Sequence, residues 1–269
     1  MPTRAPMDRL KVMLGKLVSR AEQVVPASSQ PLRQWYEYYF GEFELRLLPF
    51  LCSPQRVSFD VGANRGTYAS LMRRYSKGVV AFEPNPQLAE YLRKNFQSTI
   101  EIEECALSDR EGRTDLLIPI HPDGFMLDGH ATLSSAIAGR FPGAERIVVL
   151  TSRLDAFRHY DVGFIKIDVE GHEMAVLDGG RSLIDERRPN LLVECEERHA
   201  RNSVRDVESF LSGFGYSGFF VFDEKLLAVQ EFNAELHQRS DAVRGSYVNN
   251  FIYTADAETA NAIREYLCV

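Results

Sequence analysis

The sequence predicts an α/β fold built on a doubly wound parallel sheet, and three observations carry that expectation. After Pro54 short apolar β runs alternate with helical segments. The first β run ends in a glycine-containing turn, Asp60-Val61-Gly62-Ala63-Asn64-Arg65-Gly66. The second ends in an acid, Glu83, 21 residues after Gly62. Right-handed crossovers would line the loops that follow each strand along one sheet edge.

Composition allows such a domain. The chain has 269 residues, 45% apolar and 26% charged, which suits a soluble globular protein and excludes a collagenous or disordered one. Its net charge of −7 and pI of about 5.5 disfavour long-range attraction to phosphate, hence a nucleic-acid partner. Cys52, Cys105, Cys195 and Cys268 are scattered without a CxxC pair, so the sequence points to reduced thiols in a cytoplasmic protein. The chain contains no continuous apolar run of spanning length, so no transmembrane segment is expected.

Residues 1–53 read as an N-terminal helical extension and 54–269 as the main domain. Met7, Leu10, Leu14, Leu17, Ala21 and Val24 recur at helical spacing, with Arg9, Lys16 and Arg20 elsewhere on the surface. This helix suits packing on the domain, or docking on a membrane surface or partner. Residues 26–31 read as a linker. An aromatic-rich helix over residues 32–51 suits either the core or a pocket wall.

In the main domain RVSFDVG is the first strand, residues 68–75 a helix, GVVAFEP the second strand and residues 86–96 a helix. IEIEECAL is the third strand. Residues 114–120 and 146–151 are extra strands, and the stretch 121–143 between them reads as a mobile acceptor lid. His121, Asp123, Asp128 and His130 lie there, at spacings that match no standard metal site. FIKIDVEG, a helix over 174–183, NLLVECEE, a helix over 204–212, the runs GFFVF and NFIYTA and a helix over 257–266 complete the chain.

The turn is no nicotinamide fingerprint. That pattern needs glycine where Asn64 and Thr67 stand. What remains is acid-x-Gly-x-Asn-x-Gly, followed by an acid able to accept hydrogen bonds from ribose hydroxyls.

DVGANRGTY, FEPNP, CALSD, TSRLDAF, IKIDVEGHE and NLLVECE, in that order, resemble the FkbM family of S-adenosylmethionine-dependent methyltransferases, and NFIYTA is similar to its closing strand. The resemblance runs from about residue 56 to 255. It implies a class I methyltransferase, Rossmann-like doubly wound sheet of seven strands, the last antiparallel. It also implies S-adenosylmethionine as cofactor. Asp60 would then lie near the methionine part, Gly62, Asn64 and Gly66 under the cofactor, Glu83 at the ribose, and Ala106, Leu107 and Asp109 at the adenine. Ser108-Asp109 reads equally as a turn or helix cap.

Ligands in such sheets bind at the carboxyl ends of the strands, which makes Asp168 the first choice for a catalytic group. His172 is the second, because imidazole titrates near neutrality. Asp168 and Glu194 would end neighbouring strands and, with His172 or His199, could gather Mg²⁺. Carboxylates lining the pocket explain the same residues and are preferred, so any metal ligands remain unknown. The resemblance implies a hydroxyl acceptor, small or carbohydrate, and hence O-methylation. The rival reading is a non-catalytic cofactor-binding protein that docks through the basic N-terminal helix.

Overall fold

The computed structural model describes residues 13–15, 17–18, 32–33, 35–36, 38–39, 41–96, 98–121, 123, 126–127, 130–199, 203–239 and 247–268. Most of the amphipathic helix expected over residues 7–24, the linker at 26–31 and Asp128 lie outside the described residues.

The main sheet contains β1 (Val57–Val61), β2 (Gly78–Phe82), β3 (Glu101–Glu103), β7 (Val162–Ile167), β8 (Asn190–Glu194), β9 (Ser217–Phe222), β10 (Lys225–Ala228) and β11 (Asn250–Thr254), in the spatial order β10-β9-β11-β8-β7-β1-β2-β3. From β3 to β8 all pairings are parallel, whereas β11 runs antiparallel to both β8 and β9. The expected seven strands are present. An eighth, β10, forms a hairpin with β9 and occupies the edge.

Each face of this sheet buries its own apolar layer. Phe59, Val80, Ile165, Leu191 and Phe251 pack toward the helices α5 (Glu173–Asp178), α6 (Arg181–Arg187) and α7 (Ser203–Ser212). Val79, Ala81, Phe164, Leu192 and Ile252 pack toward α1 (Leu48–Leu51), α2 (Thr67–Met72), α3 (Pro86–Phe96) and α8 (Ala257–Leu267). Both sides being covered explains why these strands read as nearly continuous apolar runs.

Three sequence expectations change in detail. IEIEECAL is two strands: β3 stays in the main sheet, and Ala106–Leu107 (β4) leaves it to pair with Thr151 and Ser152. The helix expected over 174–183 breaks into α5 and α6 at Gly179-Gly180, because the backbone passes so close to Ser108 that a Cβ at Gly179 would strike its carbonyl oxygen. The helix expected through 51 tightens into a 3₁₀ turn, Phe43–Leu47, before α1.

The two extra strands are present and pair with each other. β5 (Gly112–Ile120) and β6 (Gly143–Ser152) run antiparallel in register over their length and, with β4, make a second sheet. The insertion between them carries a short helix, α4 (Ser135–Ala138), and bridges back through Leu117 and Thr132. This small sheet packs on Ala106, Leu116, Ile118 and Val149 and stands beside the carboxyl ends of β1 and β2.

Candidate active site

Strand order reverses between β1 and β7, and the crevice at their carboxyl ends holds two cavities. Gly62, Asn64 and Asp168 border both.

The turn after β1 shapes the first cavity. Gly62 and Gly66 have φ of 81° and 77°, and Asn64 has φ of 50°, so three residues of this short loop are left-handed. A side chain at Gly62 would strike the Asp168 carbonyl, because the β7 end passes directly against the turn. Gly66 faces away from the first cavity, with Leu92 and Phe96 against it, and gives α2 its left-handed entry. Asp60 does not point into the first cavity either. Its carboxylate accepts the Ala69 amide at 2.7 Å, and burial raises its pKa to about 7, with the Ala69 bond holding it down in part.

Glu83 is 4% exposed and lines the first cavity. One oxygen accepts the Asn64 amide at 2.7 Å, the other the Asn85 amide at 2.9 Å. Both bonds come from backbone amides that flank the cavity, so they fix the carboxylate against its wall. Ala106 and Leu107 line the same cavity with Phe82 and Pro84, giving a flat apolar ring a place to sit. Asp109 does not join them. Its side chain is half-exposed and accepts from the Ser108 hydroxyl at 3.0 Å, the contact that the turn reading expects.

The cavity's opposite wall escaped sequence reasoning. Leu116 comes from β5, and Ala131, Thr132 and Leu133 come from the insertion. The Thr132 hydroxyl donates to the Glu170 carbonyl at 2.7 Å, fastening insertion to loop. Glu170, at φ 48°, also faces His199 at 3.0 Å and His130 at 3.4 Å. Acid–histidine proximity across loops far apart in sequence leaves no local pattern to read.

Asp168 ends β7 and Glu194 ends β8, side by side as expected. Between them stands Lys166, fully buried, its Nζ at 3.8 Å from Asp168, 3.6 Å from Glu194 and 3.0 Å from Asn250. Burial alone would lower the lysine's pKa, but Asp168, Glu194, Glu42 and Asp60 together raise it, so Lys166 is an ammonium. Burial and the Glu194 charge raise the pKa of Asp168, against the pull of Lys166. The Asp168 carboxylate is still a third exposed to the crevice, so it can meet a ligand. The acid pair does not fit a divalent cation, since the ammonium already stands between the carboxylates. Among the described residues no group of histidines, cysteines and acids converges on a metal position.

His172 lines the first cavity, but its Nε2 lies 2.9 Å from the Ser108 hydroxyl, beside the segment that leads to Asp109. Burial lowers its pKa. It therefore stands on the cavity wall against Ser108.

The model of the methyltransferase FkbM domain matches residues 60–217, from the Asp60 turn to the start of β9. The chain belongs to the FkbM methyltransferase family. Among solved structures this family member is similar to the FkbM methyltransferase from Methylobacillus flagellatus KT, at 15% identity and a TM-score of 0.49, covering 93% of this chain and 60% of that one. The chain thus spans 60% of the length of that relative. A putative methyltransferase from Streptococcus mutans, solved in complex with S-adenosylhomocysteine, aligns at 9% identity and a TM-score of 0.42, over 79% of this chain and 96% of that chain. A SAM-dependent O-methyltransferase from Thermotoga maritima aligns at 11% identity and a TM-score of 0.39, over 80% and 64%. No curated protein matches the sequence. Among the described residues no helix is long and apolar enough to cross a membrane.

Proposed function

We propose that this FkbM family member transfers a methyl group from S-adenosylmethionine to a hydroxyl of a small or carbohydrate acceptor. One observation carries the reading: Glu83, held by two backbone amides in a left-handed turn, faces an apolar cavity whose far end reaches the Asp168 carboxylate. The residues fit the cofactor. Glu83 would hold the ribose hydroxyls, Ala106 and Leu107 the adenine, and the Gly62–Asn64 turn the linker between nucleoside and amino acid.

When bound, S-adenosylmethionine supplies an activated methyl group on a sulfonium. The chain has to orient the acceptor and take its proton. Orientation alone can remove several kcal/mol of barrier, on the order of 7–11 in the best cases. Asp168 is the group we assign to the proton. It is a carboxylate whose affinity for a proton is raised by burial and by the Glu194 charge, which strengthens it as a base. Asp168 would hold the acceptor hydroxyl toward that methyl group and receive the hydroxyl proton as the methyl is transferred. The neighbouring ammonium of Lys166, 3.8 Å away, favours the ionised form of this carboxylate.

Calorimetric titration with S-adenosylhomocysteine tests the cofactor assignment: micromolar binding is expected, and a folded protein that fails to bind would overturn it. Screening hydroxylated acceptors with labelled cofactor tests the chemistry. Asp168→Asn should retain S-adenosylhomocysteine binding and lose turnover about 10²–10⁴-fold, the usual worth of a general base. Near-normal turnover would move the base elsewhere.

A further inference from the structure

The insertion between β5 and β6 supplies one wall of the first cavity through Ala131, Thr132 and Leu133. Around Glu170 that insertion meets two other elements, the loop after β7 and the turn after β8. The Glu170 carboxylate faces Nδ1 of His130, from the insertion, at 3.4 Å through one oxygen. Through the other it faces Nδ1 of His199, from the turn, at 3.0 Å. Its carbonyl accepts the Thr132 hydroxyl at 2.7 Å. The next residue, Gly171, passes so close under α4 that a side chain there would strike Ile137. Arg140 of the insertion donates in turn to the Arg198 carbonyl. Glu170 itself has φ of 48°, a left-handed conformation that a residue with a side chain keeps only where its surroundings hold it.

Glu170 borders the cavity, whereas His130 and His199 do not. The histidines therefore act on the seam between insertion and loop and not on a ligand. His130 is half-exposed, so it exchanges its proton with solvent, and His199 is nearly buried. A proton on His130 turns a neutral contact with Glu170 into an ion pair across the seam. The other charges nearby are few in kind. Asp168 favours the proton on His130 and Arg198 opposes it. Arg198 and Arg140 oppose a proton on His199, whose Nε2 lies 3.8 Å from Glu196. Asp168, Glu173, Glu194 and Tyr247 lie near enough to Glu170 to feel its charge. The Glu170 bond raises the His130 pKa, while burial lowers that of His199, so His130 takes its proton first as pH falls.

We propose that Glu170 and His130 form a clasp that holds the insertion against the first cavity, and that the clasp tightens when His130 gains a proton. Opening it frees the wall that carries Ala131, Thr132 and Leu133, and so opens a way out for whatever occupies the cavity. The occupant is thus retained longer in mildly acidic than in mildly alkaline solution. Glu170 and His130 are positioning residues in this device, acting on the ligand through the wall. The identity of the occupant, an adenosine-bearing cofactor, rests on the S-adenosylmethionine reading.

Surface plasmon resonance on the full chain reads the dissociation rate of S-adenosylhomocysteine between about pH 6 and pH 8, around the ordinary histidine value. Wild type should release it about two- to fivefold more slowly at the acidic end, the range of a partly exposed ion pair. Glu170→Gln and His130→Gln should both release it faster than wild type at the acidic end, with little change across the range. A pH dependence that persists in His130→Gln would overturn the clasp. Faster release confined to Glu170→Gln would also overturn it, as the sign of a direct ligand contact. Hydrogen exchange in the ligand-free protein tests the clasp apart from the cofactor. The amides of Thr132, Ile137 and Ala138, bonded to the Leu117 and Ser134 carbonyls, should exchange faster in His130→Gln than in wild type at the acidic end. Equal exchange there would overturn the clasp even if the ligand binds. Faster exchange in the variant, with no S-adenosylhomocysteine bound by wild type, would overturn the cofactor reading and support the clasp.

Discussion

Glu83 orders the turn and faces the first cavity with one carboxylate. Its bonds to the Asn64 and Asn85 amides fix the loop that it also borders. Glu83→Ala should therefore weaken S-adenosylhomocysteine binding by about tenfold or more, since hydrogen bonds to charged groups contribute about 1.5–3 kcal/mol. Glu83→Gln keeps one acceptor oxygen and should lose less. If calorimetry gives wild-type affinity for both, Glu83 does not touch the ligand. Glu83 and the glycines were legible because a strand-to-helix turn is a local object: the residues that build it are neighbours in sequence. Leu116, Thr132 and Leu133 were illegible for the opposite reason. They reach the cavity through pairing of β5 with β6 and the return of the insertion, and no spacing rule encodes that approach. His172 shows a third case. Its place in the motif was plain, but the direction of its side chain depends on Ser108, 64 residues away.

At the scale of elements, the turn between β1 and α2 is the tightest point in the site. Gly62 combines φ of 81° with a carbonyl oxygen where its Cβ would be. Gly62→Ala faces about 1–2 kcal/mol of left-handed strain before any clash is counted. The colliding atom is backbone on a central strand, so relief requires β1 and β7 to separate. We expect Gly62→Ala to lower the melting temperature by several degrees and to abolish S-adenosylhomocysteine binding, measured by thermal melts with and without ligand. Unchanged melting and binding would show that the β7 end yields freely. Strands and helices of the main sheet were readable because burial on both faces writes continuous apolar runs separated by turns. The split of IEIEECAL was not, because Cys105 and Ala106 stay apolar and buried while the chain crosses from one sheet to the other. The break between α5 and α6 had a visible mark, Gly179-Gly180, whose meaning required Ser108 to be nearby.

At the scale of the whole molecule, buried titratable groups set how stability depends on pH. Glu44, Asp60 and Glu173 all have their pKa raised to about 7, chiefly by burial. An acid whose pKa is raised in the fold binds more protons folded than unfolded between the two values, so stability falls as pH rises through that window. His172, His199 and His237 have the opposite sign: burial lowers their pKa, and stability falls as pH drops through their unfolded value of about 6.5. The two sets compete in mildly acidic solution, so the net profile does not isolate either, and a single-group comparison does. Glu173 is 6% exposed and accepts the Gly171 amide at 2.8 Å, a bond that the oxygen of a glutamine can also accept. Glu173→Gln removes the titration and keeps the contact. The difference in melting temperature between variant and wild type should therefore grow in the variant's favour as pH rises from 4.5 to about 7, then level off. A gain on the order of 1–3 kcal/mol across the window corresponds to a few degrees per kcal/mol for a domain of this size. A difference that stays constant with pH would mean that Glu173 titrates alike in the folded and unfolded chain, and that the loop after β7 holds its charge without penalty.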